Sequence, residues 1–188
     1  MAPADRLKLY RLLAERSARR GRFTLASGRE SEFYIDVRLT AMSPDGLALI
    51  GPLALADIIA GTWEPDSIGG LTLGADPISY AISYASATTA RPLRAFTVRK
   101  EAKAHGTGKL VEGPFRAGDR VVVIEDVITT GGSALRAAAA IGAAGGTLLG
   151  VLALVDREEG GREALESAGY AVRSLATARD ILPLIPSG

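Results

Sequence analysis

The sequence from residue 121 to residue 133 reads Val121-Val122-Val123-Ile124-Glu125-Asp126-Val127-Ile128-Thr129-Thr130-Gly131-Gly132-Ser133. It begins as a run of β-branched apolar residues, which is typical of a strand buried on both faces of a parallel sheet. Two adjacent carboxylates then stand at the carboxyl end of that strand, where open α/β sheets bind their ligands. Small polar residues and glycines follow and open a helix, so their backbone N–H groups form a natural phosphate site. Acids beside a phosphate cradle indicate a phosphorylated sugar as the ligand.

Other interpretations fit this stretch less well. One alternative is an ordinary strand, turn and helix N-cap that happens to carry two acids, since a motif is a hypothesis until its structural context agrees. The Walker A pattern does not occur, because Gly108-Lys109 is followed by Leu110 rather than by Ser or Thr. No Gly-x-Gly-x-x-Gly pattern follows a predicted strand.

The composition favours an ordinary globular protein. The chain has 188 residues, of which 47% are hydrophobic, and its formal net charge is +1. We therefore expect a single domain over residues 1–188, with no nucleic-acid partner. The chain has no cysteine, which excludes disulfides and thiolate metal ligands and suits a cytoplasmic protein. We find no signal-peptide pattern in residues 1–20 and no apolar run long enough to span a bilayer, so we expect no membrane partner.

Strand-like and helical segments alternate along the chain, which predicts an α/β fold with a central, mostly parallel sheet flanked by helices. The predicted helices cover residues 5–19, 44–59 (with Ser43 as N-cap), 132–144 and 162–168, and one more starts at Pro77. The predicted strands cover residues 67–73, 94–98, 120–126, 147–156 and 170–175. Residues 22–38 alternate around a Ser27-Gly28 turn and predict a hairpin. We expect the helix and hairpin of residues 1–42 to form a small hood over the ligand edge of the sheet.

A basic segment follows the predicted strand 94–98. It reads Arg99-Lys100-Glu101-Ala102-Lys103-Ala104-His105-Gly106-Thr107-Gly108-Lys109. It lacks apolar periodicity, which indicates an exposed loop. Its charges suit a loop that closes over a diphosphate and offsets the negative charge developing there. The alternative is a solvated basic surface loop.

Three shorter segments complete the candidate site. Residues 23–36 place the aromatic pair Phe33-Tyr34 among polar residues, where such a pair can stack on a planar ring. Residues 69–77 form a second strand-to-helix junction whose backbone can bind an anion, although a plain turn is the alternative. Arg157 stands just past a predicted strand, where a guanidinium suits a planar carboxylate through two parallel hydrogen bonds.

Together these segments resemble a known family. Residues 121–133 resemble the phosphoribosyl-diphosphate (PRPP) signature of type I phosphoribosyltransferases. The basic segment, the Phe-Thr-Leu-x-Ser-Gly element at residues 23–28, the 69–77 junction and Val155-Asp156-Arg157 resemble elements of the orotate phosphoribosyltransferases, in the family's order. The resemblance extends from residue 23 to about residue 160. It departs from the family at Ala26, where many members carry Lys, and at Gly74, where some do.

The resemblance implies the type I phosphoribosyltransferase fold and the transfer of a phosphoribosyl group from PRPP to orotate, in de novo synthesis of the pyrimidine nucleotide UMP. It implies Mg²⁺ held mainly through PRPP, with no dedicated metal ligands, and a homodimer whose sites are shared between subunits. The residues it assigns to PRPP are Arg99, Lys100, Lys103, His105, Glu125, Asp126, Val127, Ile128, Thr129, Thr130, Gly131, Gly132 and Ser133. It assigns orotate to Thr129, Arg157 and Tyr34, and catalysis to Lys103, His105 and Asp126.

Two other functions stay open. A PRPP-binding regulator would keep the signature without turnover, but such proteins usually add a nucleic-acid-binding segment. A transferase acting on a purine base would share the fold, but the basic segment and Arg157 disfavour it.

Overall fold

The structure is a computed structural model that describes residues 3–24, 30–101 and 109–186. Its helices are α1 (Pro3–Arg16), α2 (Arg38–Ala41), α3 (Pro44–Ala60), α4 (Ala75–Ser86), α5 (Gly132–Ala143), α6 (Gly161–Ser167) and α7 (Ala178–Ile181), followed by a 3-10 turn (Leu182–Leu184). Its strands are β1 (Ala18–Thr24), β2 (Glu30–Ile35), β3 (Ser67–Leu71), β4 (Arg94–Val98), β5 (Val111–Glu112), β6 (Arg120–Ile128), β7 (Thr147–Asp156) and β8 (Val172–Thr177).

The larger sheet has the strand order β5-β4-β3-β6-β7-β8. Its strands pair in parallel except at one edge, where β5 runs antiparallel to β4. The carboxyl ends of β3, β4, β6 and β7 therefore meet at one edge of the sheet, as the alternating pattern predicts. Strands β1 and β2 form a separate antiparallel pair.

Strand β6 is buried on both faces, as its apolar run predicts. Successive side chains of a strand point to opposite faces. Val122 and Ile124 accordingly pack in one core with helices α1, α3 and α4. Val121 and Val123 pack in a second core with α5 and α6. Because its apolar residues are buried in both cores, β6 has a fixed position in the sheet, and this determines where the acidic pair Glu125-Asp126 lies.

Local signals in the sequence set several boundaries. Helix α3 begins as predicted: the Ser43 hydroxyl accepts a hydrogen bond from the Gly46 backbone N–H, and Pro44 occupies the first turn. Helix α5 is capped by Gly131, whose φ is 78°, a left-handed conformation that favours glycine. Both boundaries rest on residue chemistry that can be read from the sequence.

Tertiary contacts move other boundaries away from the predictions. The predicted helix 5–19 ends at Arg16, because Ala18 already pairs with Ile35 in the hairpin. Strand β6 continues to Ile128, beyond the predicted end at residue 126, because Ile128 still pairs with Asp156 of β7. Strand β3 and helix α4 meet around residues 72–74, so α4 starts two residues before Pro77. The short elements α2, β5 and α7 were not predicted, since runs of two to four residues carry no periodicity.

Strands β1 and β2 confirm the predicted hairpin, whereas a hood formed by residues 1–42 stays a prediction. The second strand of the hairpin ends at the ligand edge of the sheet, where Tyr34 and Ile35 line the same cavity as Glu125. The predicted turn at Ser27-Gly28 lies outside the described residues. That residues 1–188 form one domain stays a prediction. Within the described ranges, no helix is both long and apolar enough to cross a bilayer.

Candidate active site

A cavity of about 520 Å³ opens at the carboxyl edge of the sheet. It lies between the end of β6, the loop after β3 and the end of β2. Eight of the residues predicted from the sequence line it together, namely Tyr34, Lys100, Glu125, Asp126, Val127, Thr129, Ser133 and Arg157. The structure thus brings residues from four separate segments of the chain to one place.

The remaining predicted residues lie elsewhere. Thr130 and Gly131 lie in the turn between β6 and α5, and Gly132 begins α5, but none of the three lines the cavity. The Ile128 side chain is buried in the core against α5. Arg99 lines a neighbouring cavity, which it shares with Lys100. Lys103 and His105 lie outside the described residues, as does Ala26.

The turn from Thr129 to Ser133 has the geometry of a phosphate cradle. It connects the carboxyl end of β6 to the first turn of α5. The first N–H groups of a helix have no partner within the helix, and the helix dipole adds positive potential there. Gly131 also lies close to α6: a side chain at this position would lie 2.9 Å from the Gly161 carbonyl oxygen. A glycine is therefore required both by conformation and by space.

The two acids before this turn differ in environment. Glu125 is buried, whereas Asp126 is half-buried and its Oδ1 accepts a hydrogen bond of 2.9 Å from the Val127 backbone N–H. Burial raises the pKa of the Glu125 carboxyl well above its usual range, and the neighbouring Asp126 raises it further. Burial and the neighbouring carboxylate thus both favour the protonated form of Glu125.

Replacing Glu125 with glutamine should change how stability depends on pH. A carboxyl whose pKa is raised by folding binds more protons in the folded state, so the wild-type free energy of unfolding falls as pH rises from the unfolded pKa, about 4.3, towards the folded pKa. The Glu125→Gln substitution removes this pH-dependent contribution to the free energy of unfolding. Urea denaturation across pH 4 to 8 should show a steeper fall for the wild type than for the variant. Parallel curves for the two proteins would contradict the raised pKa.

The loop after β3 approaches the acidic pair closely. A side chain at Gly74 would collide with the Asp126 carboxylate. The same loop is tied to the start of the basic segment: the Thr72 and Thr97 hydroxyls both donate to Asp76, at 2.7 and 2.8 Å. The peptide between Thr72 and Leu73 is cis. Asp76 thus connects the loop after β3 to the end of β4, just before Arg99 and Lys100.

A Gly74→Ala variant should impair the site without unfolding the protein. The added methyl group displaces the Asp126 carboxylate, a flexible group, and moving a side chain off its preferred rotamer costs about 0.5–1.5 kcal/mol, or up to about tenfold in PRPP affinity. The matched control is Gly142→Ala, where an added side chain meets nothing within 4 Å. We expect a raised KM for PRPP only in the Gly74 variant. Equal KM values for PRPP in the Gly74→Ala and Gly142→Ala variants would show that PRPP binding does not depend on the position of the Asp126 carboxylate.

Arg157 is held in place by the hairpin. Its guanidinium is buried, its Nη2 donates to Ser31 Oγ at 3.2 Å and pairs with Glu159 at 2.7 Å, and its face lies 4.7 Å from the Phe33 ring centroid. The Nε atom is buried without a hydrogen-bond partner among the described residues. A buried donor without a partner is costly, so a ligand carboxylate would be favoured beside this guanidinium.

The aromatic pair predicted from the sequence divides between two roles. Phe33 packs on Arg157, whereas Tyr34 lines the cavity and contacts Phe23, with a ring-centroid distance of 5.6 Å. The alternation of a strand explains the difference, because neighbouring side chains point to opposite faces.

Sequence reasoning assigned no role to three charged residues that line the cavity. Asp36 and Arg38 form a bidentate ion pair with two 2.8 Å contacts, and the Arg38 guanidinium lowers the pKa of Asp36. Arg136 donates from α5 to Ser133 Oγ at 3.2 Å. Helical spacing could have identified Arg136, three residues after Ser133. No sequence signal places Arg38 at the cavity.

Known proteins resemble this chain closely, although no protein-family model matches it. Orotate phosphoribosyltransferase of Aquifex aeolicus is 44% identical over 185 residues, covering 97% of this chain and 100% of the relative. The crystal structure of Mycobacterium tuberculosis H37Rv orotate phosphoribosyltransferase in complex with PRPP superposes with a TM-score of 0.78 at 41% identity, covering 94% of this chain and 98% of that chain. Adenine phosphoribosyltransferase from Saccharomyces cerevisiae shares the fold, with a TM-score of 0.68 at 19% identity over 92% of this chain and 99% of that chain.

The parallel sheet with its phosphate turn after an acidic strand end is the fold of the type I phosphoribosyltransferases, which confirms the predicted fold class. Within that class, near full-length identity above 40% decides the assignment. The chain belongs to the orotate phosphoribosyltransferase family.

Proposed function

We propose that the protein transfers the 5-phosphoribosyl group of PRPP to a ring nitrogen of orotate, which yields orotidine 5′-phosphate and diphosphate. The observation that carries this proposal is that one cavity holds the acidic pair, the phosphate turn and Arg157. The reaction belongs to de novo synthesis of UMP. A cytoplasmic location is part of the proposal and agrees with a chain that has no cysteine.

The proposed mechanism relies on positioning and electrostatics. The bond from the anomeric carbon to diphosphate breaks and a carbon–nitrogen bond forms, through a sugar that carries positive charge. Glu125 and Asp126 hold the ribose hydroxyls and lie near that charge, while the N–H groups from Thr129 to Ser133 hold the 5′-phosphate. Arg157 holds the orotate carboxylate, with Thr129 and Tyr34 beside the ring. Arg99 and Lys100, with Lys103 and His105 farther along the segment, offset the charge of the leaving diphosphate and exclude water.

The reaction is proposed to use Mg²⁺. The described carboxylates at the cavity fit this ion, because Mg²⁺ keeps most of its ligands from water and phosphate and takes only one or two from protein carboxylates. The ion would be held mainly through PRPP, with Glu125 and Asp126 as the carboxylates beside it, and no group of three or more metal-ligating side chains occurs in the part of the chain that the structure describes. When bound, the ion neutralises charge on the diphosphate.

The activity is tested by following orotate absorbance with purified protein. We expect absorbance to fall only when PRPP and Mg²⁺ are both present. Turnover of adenine, hypoxanthine or xanthine instead of orotate would refute the proposal. Binding of PRPP without turnover of any base would favour the regulator.

Arg157→Ala should separate base recognition from PRPP recognition. Loss of a charged hydrogen bond costs about 1.5–3 kcal/mol, so KM for orotate should rise by about 10- to 100-fold while KM for PRPP changes little. Arg157→Lys keeps the charge without the planar fork and should recover only part of the loss. Since Arg157 also contacts Ser31 and Phe33, thermal unfolding checks that the hairpin survives. Equal damage to both KM values would contradict the assigned role.

A homodimer with shared sites is the proposed assembly. Its support is an apolar groove between α3 and α4, lined by residues that include Met42, Tyr80 and Tyr84. Tyr84 is 85% exposed, and patches of exposed large apolar side chains are typical of protein interfaces. Tyr80 also lines the cavity beside Arg99 and Lys100, so this surface adjoins the start of the basic segment. A second copy packed there would lie next to the site.

A further inference from the structure

Arg136 occupies a position that helix stability does not explain. It is the one charged residue in the α5 sequence, Gly132–Ala143, and it lies in the amino-terminal half. The helix dipole stabilises cations only at the carboxyl-terminal end, so it does not favour Arg136, and alanine, the residue that follows it, is a better helix former. A residue that breaks local preferences without a structural gain is a candidate for function.

The side chain of Arg136 reaches the phosphate turn. Helical side chains lean towards the amino terminus, and Arg136 Nη2 donates to Ser133 Oγ at 3.2 Å. Arg136 lines the same cavity as Thr129, Ser133 and Arg157. Its charge also acts on the acidic pair, since it favours the ionised form of Glu125.

The turn itself supplies no formal charge. Residues 129–133 are Thr-Thr-Gly-Gly-Ser, so their contribution is N–H groups and hydroxyls. A phosphate monoester carries about 1.5 to 2 negative charges at neutral pH. Arg99 and Lys100 follow β4, which β3 separates from β6 in the sheet, so they leave the sheet two strands away from the turn. Among the described residues, Arg136 is the cation whose side chain hydrogen-bonds to a residue of the turn, at Ser133.

We propose that Arg136 is a specificity-determining residue of the phosphate site, whose guanidinium contacts the 5′-phosphate of PRPP beside Ser133. This inference rests on the proposed function and assigns one cation to one of the two phosphate groups of the substrate. The 5′-phosphate and not the diphosphate is its partner, and Arg136 selects for ligands that carry the 5′-phosphate.

The test measures binding of two ligand fragments by calorimetry to the full-length wild type, Arg136→Gln and Arg136→Lys. The fragments are ribose 5-phosphate, which carries only the 5′-phosphate, and diphosphate with Mg²⁺. Glutamine keeps helix propensity, so α5 should stay folded. Arg11→Gln is the matched control, an exposed α1 residue away from the cavity.

In Arg136→Gln, we expect ribose 5-phosphate to bind about tenfold more weakly, the lower range for a charged hydrogen bond because Arg136 is exposed. Diphosphate should bind as in the wild type, Arg136→Lys should recover part of the loss, and Arg11→Gln should change nothing. KM for PRPP should rise while KM for orotate stays constant.

Two results would overturn the inference alone: unchanged binding of ribose 5-phosphate, or an equal loss of diphosphate binding, in a protein whose wild type turns over orotate. A wild type that binds PRPP but turns over no orotate would instead refute the proposed function, while the fragment titrations would still decide the role of Arg136.

Discussion

An Asp126→Asn variant should lose about 100- to 10,000-fold in kcat/KM for PRPP. The proposed role gives Asp126 two charge-assisted hydrogen bonds to the ribose, each worth about 1.5–3 kcal/mol, and each 1.4 kcal/mol is a factor of ten in rate or affinity. The substitution is nearly isosteric, so the side chain keeps its volume and its acceptor for the Val127 N–H. The loss should therefore reflect charge rather than packing.

Steady-state kinetics with each substrate varied in turn checks this expectation. KM for PRPP should rise and kcat should fall, because Asp126 also lies near the positive charge that develops on the sugar. KM for orotate should stay within a few-fold of the wild type. The control is Glu163→Gln, the same carboxylate-to-amide change at an exposed position of α6. Activity in Asp126→Asn close to that of the control would remove Asp126 from the mechanism.

The parts of the site that could be predicted from the sequence are those set by chain-local rules. The apolar run of β6 and the Gly131 turn determine where Glu125, Asp126 and Thr129 lie, and the burial of β6 confirms the predicted buried strand. The ends of parallel strands meet at one edge, so Arg157 could be placed near them without any contact being known. These rules need only residue type and spacing.

The parts that could not be predicted depend on contacts between distant segments. Arg38 lines the cavity from the start of the four-residue helix α2, and its pairing with Asp36 has no periodic signature. The clamp of Phe33 and Ser31 on Arg157 joins residues more than 120 positions apart. The sequence alone shows that position 74 carries glycine rather than lysine. Only the structure shows that Gly74 lies so close to the Asp126 carboxylate that a side chain there would collide with it.

Mixing two inactive variants should restore activity if sites are shared between subunits. Asp126→Ala removes a cavity residue, and Lys103→Ala removes a residue of the basic segment. Each should be nearly inactive as a pure homodimer. In a mixed dimer, one site combines an intact Asp126 with an intact Lys103 from the neighbouring chain, while the other site carries both defects. A symmetric two-site interface therefore predicts recovery of at most about half the wild-type activity per mixed dimer.

Co-expression with two different affinity tags isolates the mixed dimers, and their activity is compared with that of both parents. The control pairs Asp126→Ala with Arg157→Ala, two residues that line one cavity within a single chain. Each site of that mixed dimer carries one of the two defects, so its activity should be no higher than that of the Arg157→Ala parent at the same orotate concentration. The apolar groove between α3 and α4 lies next to Arg99 and Lys100. If two subunits meet at this groove and share their sites, activity should recover only in mixed dimers of Asp126→Ala and Lys103→Ala. If verified mixed dimers of the first pair stay as inactive as their parents, Lys103 acts within its own chain and the shared-site arrangement is wrong.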